Sequence, residues 1–181
     1  PAKESVTDFL PPYKPPFPLD PAYGPITKAE HIAPSLIWPE QRKRIDVAMK
    51  NSKEVIMEAW RDYAHYVGRT YEPFIEKTMM DDADIALIGM GAYTKDAIYA
   101  AKKMRERGIK AGVLRLRYWR PFPFEELRDA MKDVKAAGVL DFSYSYGSPR
   151  HGGALYNEVR SALYGGACVP IAGFILAGGR E

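Results

Sequence analysis

Val113-Leu-Arg-Leu-Arg-Tyr-Trp-Arg-Pro-Phe-Pro-Phe-Glu-Glu-Leu127 decides the reading of this chain. Val113, Leu114 and Leu116 are apolar and interleave with Arg115 and Arg117, as in a strand. Pro121 and Pro123 end that strand. A helix then opens, with Glu125 and Glu126 in its first turn, where carboxylates suit the positive helix end. Arg115, Arg117 and Arg120 therefore gather at or just past the carboxyl end of a strand. In open α/β sheets that edge is where ligands and partners dock.

Working outward, the same grammar repeats. Ile85-Ala-Leu-Ile-Gly-Met90 is a short apolar run suited to a strand buried on both faces. Gly91-Ala-Tyr-Thr94 turns the chain, with Thr94 as the candidate N-cap. A helix is predicted over 95–107, stopped by Gly108, and the next strand over 109–117. Further on come a helix over 124–132, a strand over 136–141, a helix over 152–164 and a strand over 169–176. This β-α-β-α-β-α-β order predicts an α/β fold: a mostly parallel sheet with helices on both faces.

Residues 1–39 read differently. Ten of the 15 prolines fall in the first 40 residues, which predicts an extended, partly polyproline arm. Phe9, Leu10, Tyr13, Phe17, Leu19, Tyr23, Ile37 and Trp38 punctuate it, so the arm is expected to lie against a surface of its own domain or of a partner. Residues 40–80 hold a long amphipathic helix and a connection. Ile45, Met49, Ser52, Ile56, Trp60, Tyr63 and Val67 recur at spacings of three and four, and Gly68 is the expected stop. The α/β domain is placed over 81–181.

Composition narrows the function classes. The formal charge of +3 is weak evidence for nucleic acid, and none is expected as a partner. The excess lies in residues 81–181, with 15 basic and 12 acidic side chains, nine of the basic ones arginine. That distribution admits an anion or an acidic partner. No run of about 18 apolar residues occurs, so no membrane span is expected. Pro1 to Asp20 lacks the apolar core of a signal peptide, which makes the cytoplasm the expected compartment. The single cysteine, Cys168, cannot form an internal disulfide or supply the roughly four ligands of an iron–sulfur cluster. It lies just before an apolar strand and reads as packing rather than as a nucleophile. His31, His65 and His151 show no metal spacing.

Two local sites stand out. Ile88-Gly-Met-Gly91 resembles a dinucleotide-binding turn only loosely, because the spacing is not G-x-G-x-x-G and the following strand ends in arginines. Ser143-Tyr-Ser-Tyr-Gly-Ser-Pro-Arg-His-Gly-Gly153 is the stronger candidate. Gly147, Gly152 and Gly153 let backbone N–H groups approach a ligand, and the loop leads into a helix N-terminus, which favours anions. Arg150 and His151 add positive charge, and Tyr144 and Tyr146 add hydroxyls. Asp141, at the end of its strand, suits capping of that loop as well as chemistry.

Several of these runs together resemble a known family. Arg117-Tyr-Trp-Arg-Pro-Phe-Pro-Phe-Glu-Glu-Leu127, Ala137-Gly-Val-Leu-Asp141, Gly147 to Gly153, Glu158-Val-Arg-Ser-Ala-Leu-Tyr164 and Gly178-Gly-Arg180 are similar to the C-terminal part of the α subunit of 2-oxoacid:ferredoxin oxidoreductases, such as pyruvate:ferredoxin oxidoreductase. Phe9-Leu-Pro-Pro-Tyr-Lys-Pro15, Leu19-Asp-Pro21 and Val67-Gly-Arg-Thr-Tyr71 fit as well, so the resemblance covers nearly the whole chain. It implies a domain like the C-terminal domain of transketolase. It also implies a complex that decarboxylates a 2-oxoacid on thiamine diphosphate with Mg2+. Electrons would pass through [4Fe-4S] clusters to ferredoxin, and the acyl group to coenzyme A.

The departures shape the expectation. The chain carries no Gly-Asp-Gly diphosphate–magnesium motif, no cluster cysteines and no pyrimidine-binding domain. It starts without Met and ends right after Gly-Gly-Arg, and so is expected to be part of a longer subunit. No catalytic residue and no resident cofactor is assigned to it. The expected partners are the thiamine-diphosphate-binding and iron–sulfur parts of a hetero-oligomer, with ferredoxin reached through the complex. Groups choosing among pyruvate, other 2-oxoacids and oxalate are expected on the missing domain. Candidate contacts to an anion, coenzyme A or a partner are Arg117, Arg120, Tyr146, Arg150, His151, Gly152 and Gly153. The alternatives are a stand-alone interaction module of the same fold, and a small nucleotide-binding protein using the Gly89–Gly91 turn.

Overall fold

The computed structural model describes residues 1–26, 37–148, 152–166 and 169–176. The chain divides into two compact units, Pro1–Tyr71 and Glu72–Glu181.

In the first unit, α1 (Lys3–Phe9) is a short helix inside the segment expected to be extended. The cause is local: no proline falls between Ala2 and Leu10, and Leu10, which precedes Pro11, is held extended. The Thr7 hydroxyl donates to the Lys3 carbonyl, and Phe9 places its ring edge-on to Tyr63 and Tyr66, with centroids 5.2 and 5.9 Å away. Further along, Asp20 caps a 3-10 turn, Pro21–Tyr23, by accepting from the Ala22 N–H. The long helix α2 (Ile37–Val67) starts three residues before its predicted first turn, so Ile37 and Trp38, read as part of the arm, are helical. Pro39 sits in that turn, where a missing N–H costs nothing. Gly68, at φ +66°, ends the helix as expected, its N–H reaching the Ala64 carbonyl. No residue of α1 or α2 is fully buried.

The second unit is an α/β domain. Its sheet has the order β1-β3-β2-β4-β5, with β1 Ile75–Thr78, β2 Ile85–Met90, β3 Ala111–Leu116, β4 Ala136–Asp141 and β5 Ile171–Ile175. The four predicted strands are β2 to β5, and they run parallel. The fifth, β1, adds an antiparallel edge beside β3 and falls within the stretch read as a connection. Glu76 and Lys77 break its apolar pattern, and an edge strand of four residues needs only one side covered.

Helix α3 (Thr94–Glu106) brings Ala97 and Ala101 against Ala111 and Val113, with Leu87, Ile98, Met104 and Leu140 around them. The alanines let helix and sheet approach closely. Thr94 is the first helical residue rather than the cap. Tyr93 holds the cap position, and the buried Thr94 hydroxyl turns back to the Gly91 carbonyl at 2.8 Å. Alternation along β3 sends Leu114 and Leu116 to the opposite face. Helices α4 (Phe124–Met131) and α5 (Ala154–Leu163) bury Leu127, Met131, Leu155, Tyr156, Val159 and Leu163. Among the described residues, no helix is long and apolar enough to cross a membrane.

One arginine locks the turn between β1 and β2. Arg105 donates to the carbonyls of Ala111 (2.6 Å) and Met79 (2.8 Å) and to the Asp82 carboxylate (2.6 Å). That hydrogen bond, helped by the charges of Arg105 and Lys110, holds the Asp82 carboxyl below the usual carboxylate range. The turn crosses the start of β3 at Gly112, where a Cβ would stand 2.5 Å from Met80 Sδ and 2.6 Å from the Met79 carbonyl oxygen. Gly112→Ala is therefore expected to cost about 2–3 kcal/mol through overpacking. Chemical denaturation should read this as a lower midpoint at unchanged slope.

Candidate functional site at the carboxyl edge of the sheet

The arginines that end β3 are built into the fold. Glu76 lies across from Arg115 in the β1–β3 register. Its carboxylate accepts from Arg117 at 2.7 Å and lies 3.5 Å from Arg115. Arg117 also ties its backbone N–H to the Phe74 carbonyl at 2.9 Å, and its side chain is only 17 % exposed. Two cations sharing one half-buried carboxylate form a cross-strand brace.

Arg120 is placed differently. Its guanidinium stacks 4.9 Å from the Trp119 ring centroid, donates to the Trp119 carbonyl at 2.7 Å and pairs with Glu158 at 3.2 Å. The side chain remains 45 % exposed. Arg120 thus links the β3–α4 connection to α5 and still presents charge to its surroundings.

Beyond β4, Asp141 organises the loop. It is buried, and Oδ1 accepts from both the Ser143 N–H (2.9 Å) and the Ser143 hydroxyl (2.8 Å). Oδ2 accepts from the Tyr156 N–H at 3.1 Å, and the Ser143 oxygen accepts from the Ala154 N–H at 2.7 Å. The first turn of α5 is therefore served by the chain's own carboxylate and hydroxyl. Gly152 and Gly153 are buried here. A Cβ at Gly152 would overlap the Tyr156 ring, and one at Gly153 would overlap the Ser143 carbonyl and the Asp141 carboxylate. What these glycines admit is the chain itself. The sequence offered a helix N-terminus for an anion; the anion found there is Asp141.

Tyr146 is 89 % exposed, with Tyr144 edge-on to it at 4.8 Å. Tyr93 and Phe142 stack at 3.9 Å where β2 and β4 end. In the Gly89–Gly91 turn, the Thr94 methyl lies 3.1 Å from the position a Gly89 Cβ would take, so close packing accounts for that glycine. Arg150, His151, Cys168 and Gly178 to Arg180 lie outside the described residues. Of the remaining candidates, Arg120 and Tyr146 present exposed side chains, Arg117 is held inward, and Gly152 and Gly153 are covered. Sequence reasoning missed Glu76 and the Asp141–Ser143 cap. Glu76 had one signal: an acidic residue in a short alternating run that could face two strand arginines.

The second unit is thus an α/β domain with a mixed five-stranded sheet and a carboxyl edge of tightly paired charges. Its family description is specific: residues 83–181 match pyruvate:ferredoxin oxidoreductase core domain II, and the chain belongs to that family. The chain is 36% identical over 169 residues to the ketoisovalerate oxidoreductase subunit VorA of Pyrococcus abyssi, covering 93% of this chain and 42% of that one. It is 32% identical over 182 residues to the pyruvate synthase subunit PorA of Methanothermobacter thermautotrophicus, covering 100% of this chain and 45% of that one. The chain thus spans less than half the length of these curated relatives. Among solved structures, a split-gene transketolase described as an inactive beta4 tetramer aligns with TM-score 0.47 and 23% identity over 62% of this chain and 36% of that one.

Proposed function

We propose that this chain is a non-catalytic assembly domain of the α-type subunit of a thiamine-diphosphate-dependent 2-oxoacid:ferredoxin oxidoreductase. The complete complex would oxidatively decarboxylate a 2-oxoacid such as pyruvate, pass electrons to ferredoxin and hand the acyl group to coenzyme A. The names of the relatives, ketoisovalerate oxidoreductase and pyruvate synthase subunits, support the reaction class. One structural observation carries the non-catalytic reading. Three carboxylates at the carboxyl edge already have structural bonds: Asp141 to the α5 cap, Glu76 to Arg115 and Arg117, and Glu158 to Arg120.

The donor set does not fit the implied cofactors. One cysteine in the sequence cannot hold a [4Fe-4S] cluster. Among the described residues, no three His, Cys, Asp or Glu side chains gather as a metal site. On this reading thiamine diphosphate, magnesium and the clusters belong to other segments and subunits, and this domain shapes the approach to them. Arg120 and Tyr146 are the exposed contacts to a neighbouring subunit or to coenzyme A phosphate.

The test is substitution within the assembled enzyme. Arg120→Ala and Tyr146→Ala should leave the domain folded and lower subunit association or turnover on the order of tenfold, as loss of an interface anchor does. Co-purification and steady-state kinetics read the two effects. If assembly and turnover are both unchanged, this contact role is wrong.

A further inference from the structure

The two edges of the sheet are built differently. The outer strand β1 carries Glu76 and Lys77, charges of the kind that blunt an edge. The opposite edge, β5, reads Ile171-Ala-Gly-Phe-Ile175, with no charge and no proline, and among the described residues it pairs with β4 alone. Ala172, Gly173 and Phe174 are exposed, Phe174 by 52 %. An uncharged, exposed edge strand is a template for another strand.

The backbone directions follow from two hydrogen bonds. The Pro170 carbonyl accepts from the Ala137 N–H, and the Leu176 N–H donates to the Asp141 carbonyl. Even-numbered residues of β5 therefore turn their N–H and C=O groups toward β4. By alternation, Ile171, Gly173 and Ile175 turn theirs outward. The side chains divide as well. Phe174 lies over Gly138, its ring 3.1 Å from the place of a Cβ there, on the face that carries Leu87. On the other face the Tyr156 ring fills the space above Gly173, 3.0 Å from the place of its Cβ.

We propose that β5 pairs antiparallel with β5 of a second copy of this chain, about a two-fold axis through Gly173. The sequence is self-complementary about that point. Ile171 meets Ile175 of the second copy, Gly173 meets Gly173, and each residue with outward backbone groups faces another such residue. About six main-chain hydrogen bonds follow, two for each facing pair. Between them, Ala172 faces Phe174 of the second copy at a non-hydrogen-bonded position, where side chains come closest. A small residue there accommodates a large one on each side of the axis. No like charges meet, and the half-exposed Phe174 ring gains cover. A shift of one residue would set outward backbone groups against residues whose groups turn toward β4, and a shift of two would lose one of the three facing pairs, so this register makes the most hydrogen bonds. This pairing does not depend on the reaction proposed for the complex.

A disulfide trap on the full native polypeptide, with whatever subunits co-purify, tests it. In a Cys168→Ser background, Ala172→Cys/Phe174→Cys places each new thiol opposite its complement in the second copy, within disulfide reach. Mild oxidation should link two copies, seen on non-reducing gels and by intact mass. Either single variant should link on the order of tenfold more slowly, because its thiol faces no thiol. Ala172→Lys, which puts charge on the edge, should separate the copies in light scattering while far-UV circular dichroism stays unchanged. Three outcomes would overturn the proposal: no cross-link, equal linking by the single variants, or a link to a different subunit.

Discussion

Gly153→Ala should unfold the β4–α5 junction, with a loss of about 3 kcal/mol or more for a severe clash at a packed site. The added Cβ overlaps the Ser143 carbonyl and the Asp141 carboxylate, neither of which is the free end of a flexible side chain. Asp141 cannot retreat without dropping the Tyr156 N–H, and Ser143 cannot retreat without dropping the Ala154 N–H. Gly147→Ala is the matched control. Gly147 has φ +75° and open space around it, so its alanine bears only left-handed strain of about 1–2 kcal/mol. Differential scanning calorimetry of both variants should rank Gly153→Ala well below Gly147→Ala. Equal melting temperatures would show that the junction is not packed as described.

Asp141→Ala should be nearly as damaging. Its carboxylate accepts three hydrogen bonds in a buried setting, two of them from backbone N–H groups. Truncation leaves those donors unsatisfied and removes the negative charge from the first turn of α5. Together these effects amount to about 3–4 kcal/mol. For a domain of this size that lowers the melting temperature by more than about 10 °C. Asp141→Asn separates the parts of the effect. Its carbonyl can still accept from Ser143, but its amide would face the Tyr156 N–H donor to donor. Asn should therefore recover less than half of the loss. Full recovery by Asn would mean that the charge and the Tyr156 bond contribute little.

How much of this was legible in the sequence varied with the physics behind each element. β4 appears with its predicted ends, because Ala136 to Leu140 is an unbroken small-and-apolar run bounded by Lys135 and Asp141. α2 stops at Gly68 because only a left-handed residue fits there, and the sequence names that residue. β1 was hidden because a strand at a sheet edge needs few apolar residues, and half of this one is charged. α1 was hidden because the prolines of residues 11–21 dominate the composition around it. The site was legible in its ingredients but not in its pairings. Three arginines at the end of β3 are plain in one dimension. The carboxylate that accepts from Arg117 lies 41 residues away, on the strand the sequence concealed. The glycine-rich loop was visible too, but glycine marks close approach without naming what approaches. Here it is Tyr156 and Asp141.

On the proposed function, this chain supplies architecture to an oxidoreductase and no reaction chemistry of its own. The direct measurement is reduction of a viologen dye by the purified chain, given a 2-oxoacid, thiamine diphosphate, magnesium and coenzyme A, in parallel with the chain assembled with its co-purifying subunits. Turnover is expected only in the assembled sample. Dye reduction by the purified chain alone, dependent on the 2-oxoacid, would contradict it.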